Sequence, residues 1–202
     1  MREFIYFSRN ARTSGNFNDL MKAGRMDIVC HVVINSFFIS HRMREDVKLH
    51  LVFYGPPTPP RHIEIFVKNE EGMPETGKKV GSLDISKKDI AGLIKRILFK
   101  YQEGRKVEAF PGCFIEKKSL IKIVEELAKT RAIYLLDRNG DNVREIEIKE
   151  NPIFILGDHE GLPKKELRRL SKSAKKVSLG KANYFSSQVV SILNNELDYR
   201  GL

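Results

Sequence analysis

Runs of apolar residues along this chain follow two periods, and the changes between them predict most of its elements. EFIYFS (3–8) is apolar at consecutive positions, which predicts a short buried strand, and a polar loop rich in Arg, Asn, Ser and Gly follows it. Helical material is expected from about Asn18 to Ser40, broken near Gly24. KLHLVFYG (48–55) predicts a second strand, closed by the rigid turn Pro56-Pro57-Thr58-Pro59-Pro60. HIEIFVKN (62–69) alternates as a strand with one solvated face does, and a glycine-rich charged loop follows over 70–81. In SKKDIAGLIKRILFKYQEG, Ser86 and Asp89 form a capping box. Ile90, Leu93, Ile94, Ile97, Leu98 and Tyr101 make the helix stripe that Gly104 ends.

Beyond that helix the alternation of elements becomes regular. A loop containing Gly and Cys (111–114) precedes the helix KSLIKIVEELAK and the strand AIYLLD. Asn139-Gly140 is a strong hairpin signal, so NVREIEI is expected to fold back beside that strand. IFILG (153–157) predicts another strand, PKKELRRL a short helix, KKVSLG (175–180) a strand and SSQVVSILNNEL the closing helix. Strands this apolar are buried on both faces, which predicts an α/β fold with a largely parallel sheet and helices on each side. With no composition break, residues 1–202 read as one domain.

Charge adds a partner to that picture. The net charge of +10 favours a polyanion, nucleic acid being the commonest, although a hot-environment surface with few glutamines (Gln102 and Gln188) would read the same way. Cys30 and Cys113 have no Cys or His at ligand spacing, so they read as buried thiols in a reducing compartment, and no metal site is expected. MREFIYFSRNAR lacks a cleavable signal, and IVCHVVINSFFI is too short and too interrupted to span a bilayer. The expected location is the cytoplasm.

In a parallel sheet, ligands settle beyond the carboxyl ends of the strands. Three such ends, Leu135-Leu136-Asp137, Gly157-Asp158 and Leu179-Gly180, have the composition for a backbone-lined ligand mouth. A G-x-G-x-x-G after the first strand, a phosphate loop of the G-x-x-x-x-G-K-[ST] kind and a G-x-S-x-G elbow are all absent, which disfavours nicotinamide, ATP and serine hydrolase chemistry. After the Gly157 mouth the chain turns basic. Lys164, Lys165, Arg168, Arg169, Lys172, Lys175 and Lys176 face only Glu166 as an opposing charge. Arg9, Arg12, Arg25, Arg42 and Arg44 form a second basic group, and arginine suits phosphate clamps and base stacking.

The order IFILGDHEGLP, basic helix, VSLGKANYFSSQVVSILNNELD resembles the last two motifs of the SPOUT superfamily of RNA methyltransferases. With REFIYFSRNARTSGNFNDLMKAGRMDIVCHVVINSFFIS at the other end, the whole chain resembles the archaeal tRNA pseudouridine-54 N1-methyltransferases, close to the Nep1-type ribosomal RNA enzymes. That resemblance implies a C-terminal trefoil knot within about 130–200, a homodimer, S-adenosyl-L-methionine as cofactor and the tRNA T-loop as substrate. It places cofactor contacts at Leu135, Leu136, Gly157, Asp158, Glu160, Gly161, Leu162, Leu179, Gly180, Tyr184, Ser186, Ser187 and Val189. RNA contacts are expected from Arg9, Arg25, Arg42, Lys164, Lys165, Arg168 and Arg169, and Tyr184 could also stack on a base.

Little is asked of side chains in such a reaction, beyond in-line positioning and removal of one proton from the attacking nitrogen. Asp158, at the mouth of the loop, is the first candidate base, with amide binding inside the loop as its other reading. Asp27 is the second, at the head of a polar stripe with His31 and Asn35 on one helix face. His159 or water could serve instead. The apolar closing helix (Val189, Val190, Ile192, Leu193, Leu197) reads equally as a dimer face or a core helix. The rival readings are a ribosomal RNA methyltransferase of the Nep1 kind and a catalytically silent knotted RNA-binding or ribosome-assembly protein.

Overall fold

Phe4, Ile5, Tyr6 and Phe7 are consecutive and all fully buried, so the strand that carries them must be covered on both faces. In the computed structural model, which describes residues 1–40, 42–67 and 86–202, that strand is β1 (Arg2–Ser8), near the middle of an eight-stranded sheet. The elements that follow are α1 (Met26–Phe37), the short pair β2 (Phe38–Ile39) and β3 (Arg42–Met43), β4 (Val47–Phe53), β5 (Arg61–Phe66) and α2 (Lys87–Phe99). Then come β6 (Val107–Phe110), β7 (Cys113–Glu116), α3 (Leu120–Leu127), β8 (Ile133–Asn142), β9 (Ile153–Gly157), α4 (Lys164–Leu170), β10 (Lys175–Ser178) and α5 (Ser186–Arg200). Lys68, Asn69 and the expected loop over 70–81 lie outside the described residues.

The sheet order is β10-β8-β9-β1-β4-β5-β7-β6. The first five strands run parallel, as the apolar runs predict, and β5, β7 and β6 extend the sheet antiparallel. Side-chain parity sorts the two cores. Phe4 and Tyr6 pack with α1, α2 and α5, whereas Ile5 and Phe7 pack with α3 and α4. Ser86 and Ser119 cap α2 and α3 by accepting from Asp89 N and Lys122 N.

Three expectations change. The helix expected from Asn18 begins only at Met26, because Gly24 and Arg25 both hold left-handed backbone (φ +73° and +61°), and it gives way to β2 after Phe37. The Gly112 turn (φ +74°) joins β6 to β7 as a hairpin, so Cys113 is a strand residue. Asn139-Gly140 makes no hairpin. Strand β8 runs on through it to Asn142 and pairs with β10, with a break of register between Leu135 and Asp141, and residues 143–148 form no strand. The physical reason is a close approach: a Cβ on Gly140 would lie 2.4 Å from Val177 N, so this glycine makes room for the neighbouring backbone.

The two ends of the described chain meet. Buried Arg2 donates to the Asn194 carbonyl (3.1 Å), to Asp198 (2.8 Å) and to the Leu202 carbonyl (2.6 Å), and it pairs with Asp46 (2.8 Å). Arg44 grips the same Asp198, so it serves as a clamp on α5.

Candidate active site

The carboxyl ends of β9 and β10, with the stretch of β8 just past its pairing with β9 at Leu135, open together into a cleft of about 610 Å³. Strand β8 contributes Leu136, Asp137 and Arg138, β9 and its loop contribute Leu156 to Gly161, and the β10–α5 connection contributes Val177 to Gly180 and Ala182 to Ser186. Ile28 of α1 and Val189 of α5 complete the wall. The lining mixes aliphatic side chains with strand-end backbone, and Tyr184 and the more exposed Phe185 stand at the rim. Such a space, apolar with a few fixed polar groups, is what a nucleoside-sized ligand requires.

Backbone geometry shapes the β9 loop. A Cβ on Gly157 would come within 2.9 Å of Gly161 C and Cα and 3.1 Å of Leu162 N, so the loop folds back onto its own strand end. Gly161 holds φ +70°, donates to the Asp158 carbonyl and has open space where a Cβ would stand. From the other side, Ser186 Oγ donates to the Gly157 carbonyl at 2.8 Å and fastens the first turn of α5 to β9.

Asp158 is buried and both of its oxygens are engaged. One accepts from Ser8 Oγ (2.9 Å) and Arg9 N (3.0 Å), the other from Glu160 N (2.9 Å). Glu160 in turn accepts from Asn10 Nδ2 at 2.9 Å and lies 3.7 Å from Arg9. The polar trio Ser8-Arg9-Asn10 at the end of the central strand therefore holds the loop in shape, a role the sequence reading did not give to Ser8 or Asn10. Their position, polar residues immediately after a buried strand, was the available signal.

Of the other expected cofactor positions, Leu136, Gly180, Leu179, Tyr184, Ser186 and Val189 line the cleft. Leu135, Leu162 and Ser187 do not. Leu135 is fully buried in the core beneath α3 and α4, where the alternation of strand side chains sends it, and Leu162 packs against that same core. Phe185, within the loop expected over 179–187, also lines the cleft, and Ile28 does so from outside every expected loop.

Asp27 is not on the cleft wall. Its carboxylate takes two hydrogen bonds of 3.0 Å from Arg25, and the Arg25 bond holds it below the usual carboxylate range against the opposing effect of burial. The stripe behind it divides, with His31 exposed and Asn35 accepting from Ser191 Oγ at 2.7 Å. His159 does line the cleft. On α5, Val190, Leu193 and Leu197 are fully buried against the chain's own core.

The basic helix α4 follows the loop directly, with Lys164, Lys165, Arg168 and Arg169 exposed and Arg169 paired to Glu125. Glu166 faces inward and accepts from Tyr54 OH at 2.7 Å, and burial raises its pKa. Lys175 and Lys176 are paired with Asp141 and Asp137. Arg9 is half-exposed beside the loop, Arg25 is committed to Asp27, and exposed Arg42 sits on β3 away from the cleft wall. Arg138 and Lys181 line a second depression of about 530 Å³ that shares Ser178 and Gly180 with the cleft. These two cations were not singled out from sequence.

A ligand mouth at three parallel strand ends, with a cationic helix at its lip, defines an α/β protein built to bring a small nucleotide-like molecule to a polyanion. The chain belongs to the family described as "Putative SAM-dependent RNA methyltransferase", whose model matches residues 1–202. It is 34% identical over 205 residues to the tRNA (pseudouridine(54)-N(1))-methyltransferase of Thermococcus kodakarensis, covering 98% of this chain and 99% of that one. The protein of the same name from Methanocaldococcus jannaschii is 34% identical over 209 residues, covering 98% and 97%. Among solved structures, Archaeoglobus fulgidus Nep1 bound to S-adenosylhomocysteine shares the fold at a TM-score of 0.64 and 16% identity, over 100% of this chain and 99% of that one. Among the described residues no helix is long and apolar enough to cross a membrane.

Proposed function

We propose that this protein transfers a methyl group from S-adenosyl-L-methionine to N1 of pseudouridine 54 in the T-loop of tRNA. The observation that carries the reading is full-length likeness, at 34% identity, to enzymes named for that reaction. The cleft fits the cofactor on its own terms. Ile28, Leu136, Leu179 and Val189 offer an apolar seat for an adenine ring, and the backbone at Gly161 and Gly180, open where a Cβ would stand, can be approached closely. The cofactor supplies an already activated sulfonium methyl, which leaves the protein to position the acceptor nitrogen in line and exclude water.

In this reading Asp158 is a positioning residue, since its oxygens are already bound to Ser8, Arg9 and Glu160. Asp27 acts through Arg25, and the N1 proton leaves to water. Lys164, Lys165, Arg168 and Arg169 guide the RNA to the mouth, with Arg9, Arg138 and Lys181 on its sides and Arg42 and Arg25 at a greater remove. Residues 1–202 form one SPOUT domain in which β8 to α5 make the trefoil knot, and the enzyme works in the cytoplasm. Exposed Phe185 and Tyr199, at the two ends of α5, support a homodimer that covers them.

The test is a methyl-transfer assay on tRNA transcripts that carry uridine or pseudouridine at position 54, followed by mapping of the modified base. Methylation only of the pseudouridine transcript, at position 54, is expected. Equal methylation of the uridine transcript would refute the substrate, and failure to bind cofactor in calorimetry would refute the enzyme.

A further inference from the structure

Away from the cleft, a line of buried polar side chains crosses the sheet from β1 to β7 on the face that carries α3 and α4. His50 Nε2 donates to Glu3 Oε2 at 2.8 Å, and His62 Nδ1 donates to Glu116 Oε1 at 3.0 Å. Between them, His50 Nδ1 faces His62 Nε2 at 2.9 Å, and each imidazole is only 3% exposed. Arg131 pairs with Glu3 and Lys118 with Glu116, so both carboxylates are held ionised and both outer ring nitrogens must carry the protons.

Counting protons exposes a gap. Three contacts join the four groups, and two neutral imidazoles bring two protons. With both protons on the outer nitrogens, the inner nitrogens present lone pairs to each other at hydrogen-bond distance. Something positive belongs between them. A third donor is aimed at the same point: Glu64 Oε2 is 3.9 Å from His50 Nδ1, and the three ligand atoms lie within 4.8 Å of one another. A shared proton would join the two nitrogens alone and leave Glu64 to Lys106 and Lys48. A metal ion uses all three.

We infer that His50, His62 and Glu64 form a binding site for one divalent ion of the zinc class. Two imidazoles and a carboxylate are a zinc donor set with the fourth position left to water. Bonds of roughly 2.0–2.2 Å in a tetrahedral site set donors about 3.3–3.5 Å apart, so the imidazoles part by about half an ångström and the Glu64 carboxylate swings in by about an ångström. Glu3 and Glu116 stand where the outer carboxylates of metal-bound histidines stand, fixing tautomer and ring orientation. Lys106 and Lys48, 3.3 and 4.0 Å from the Glu64 oxygens, give way on loading, and Lys106 has the exposure to do so. The ion pins β4 to β5, where the sheet changes from parallel to antiparallel. Cysteine spacing offered no hint of it, because strand register makes the site. His50 lies opposite Glu64, and His62 one diagonal step away.

The site shares no residue with the cleft, so metal loading and methyl transfer are independent measurements. The full chain, stripped with a chelator, is titrated with Zn²⁺ by calorimetry and with Co²⁺ by visible absorption. One ion per chain, the intense visible bands of tetrahedral cobalt and a raised melting temperature are expected. Glu116→Gln should weaken binding by about 10–100-fold, in keeping with the loss of an outer partner, and His62→Ala or Glu64→Gln by more. His31→Ala, on an exposed histidine, should change nothing. Should His62→Ala not fold, Glu64→Gln at the rim carries the test. A wild-type chain that takes up no ion, or a Glu64→Gln variant that titrates like wild type, overturns the site. So does a Zn²⁺-treated protein that keeps a low-field N–H proton shared by the two imidazoles.

Discussion

The Ser8 hydroxyl donates to the Asp158 carboxylate at 2.9 Å, joining the end of the central strand to a loop 150 residues further along the chain. With the Arg9 and Glu160 amides on the same carboxylate, the bond makes Asp158 a fastening point for the cleft wall. Asp158→Ala strands two amides and a hydroxyl and should cost about 3 kcal/mol of stability. Cofactor affinity should fall about tenfold while the pH–rate profile keeps its shape. A general base would behave differently, losing about 10²–10⁴ in rate together with one limb of that profile.

Gly157 and Gly161 separate two reasons for glycine. Gly157→Ala puts a methyl 2.9 Å from the Gly161 backbone and should displace the loop, weakening S-adenosylmethionine binding in calorimetry at least tenfold. Gly161→Ala meets open space but strained φ, and should cost about 1 kcal/mol in a melting experiment with a smaller loss of affinity. Equal affinity losses in the two variants would contradict this division.

Lys164 and Lys165 are exposed and form no ion pair among the described residues, on a helix that begins at the cleft's lip. The double alanine variant should bind tRNA more weakly at low salt and bind cofactor normally. The slope of log affinity against log salt should shrink by roughly 1.5, about 0.7–0.9 for each phosphate contact. An unchanged slope would remove α4 from the RNA path.

The Asp198 clamp gives a pH dependence with a definite sign. The Arg44 hydrogen bond, opposed by burial and helped by Arg2, holds this carboxyl below its ordinary 3.8. The folded chain then binds fewer protons here than the unfolded chain, so the stabilisation is complete above 3.8 and is lost as pH falls through the lower folded value. Melting temperatures recorded from neutral pH downward should drop less steeply in Asp198→Asn than in wild type across that acid window. Parallel curves would show that the pair contributes nothing.

Much of the architecture was legible in local pattern. Consecutive apolar residues in β1 and β9 announced strands covered on both faces, and the glycines and polar residues after β9 announced a ligand mouth. The errors have one cause, which is that a local signal serves more than one long-range purpose. Asn139-Gly140 reads as a turn from its neighbours alone, yet Gly140 answers to the backbone of Val177. Leu135 and Leu136 look alike in sequence, and strand alternation sends one to the core and the other to the cleft. Asp158 carries two readings in sequence, a base or an amide-binding loop residue, and its partners Ser8 and Arg9 are brought in by strand pairing that no local window contains. His50 and His62 gave no signal at all, since their meaning lies in the register of β4 against β5.

The position of β1 has a consequence for the order of events during synthesis. One edge of this strand is satisfied by β4, which leaves the ribosome soon after it, but the other waits for β9, and the Arg2 grip waits for Asp198 and Leu202. A half-made chain therefore exposes the hydrogen-bonding edge and apolar face of its most central strand throughout most of translation. Completion of the native protein is in this sense a post-translational act, and nascent chains stalled before β9 are the species for which cellular chaperones would have the most to cover.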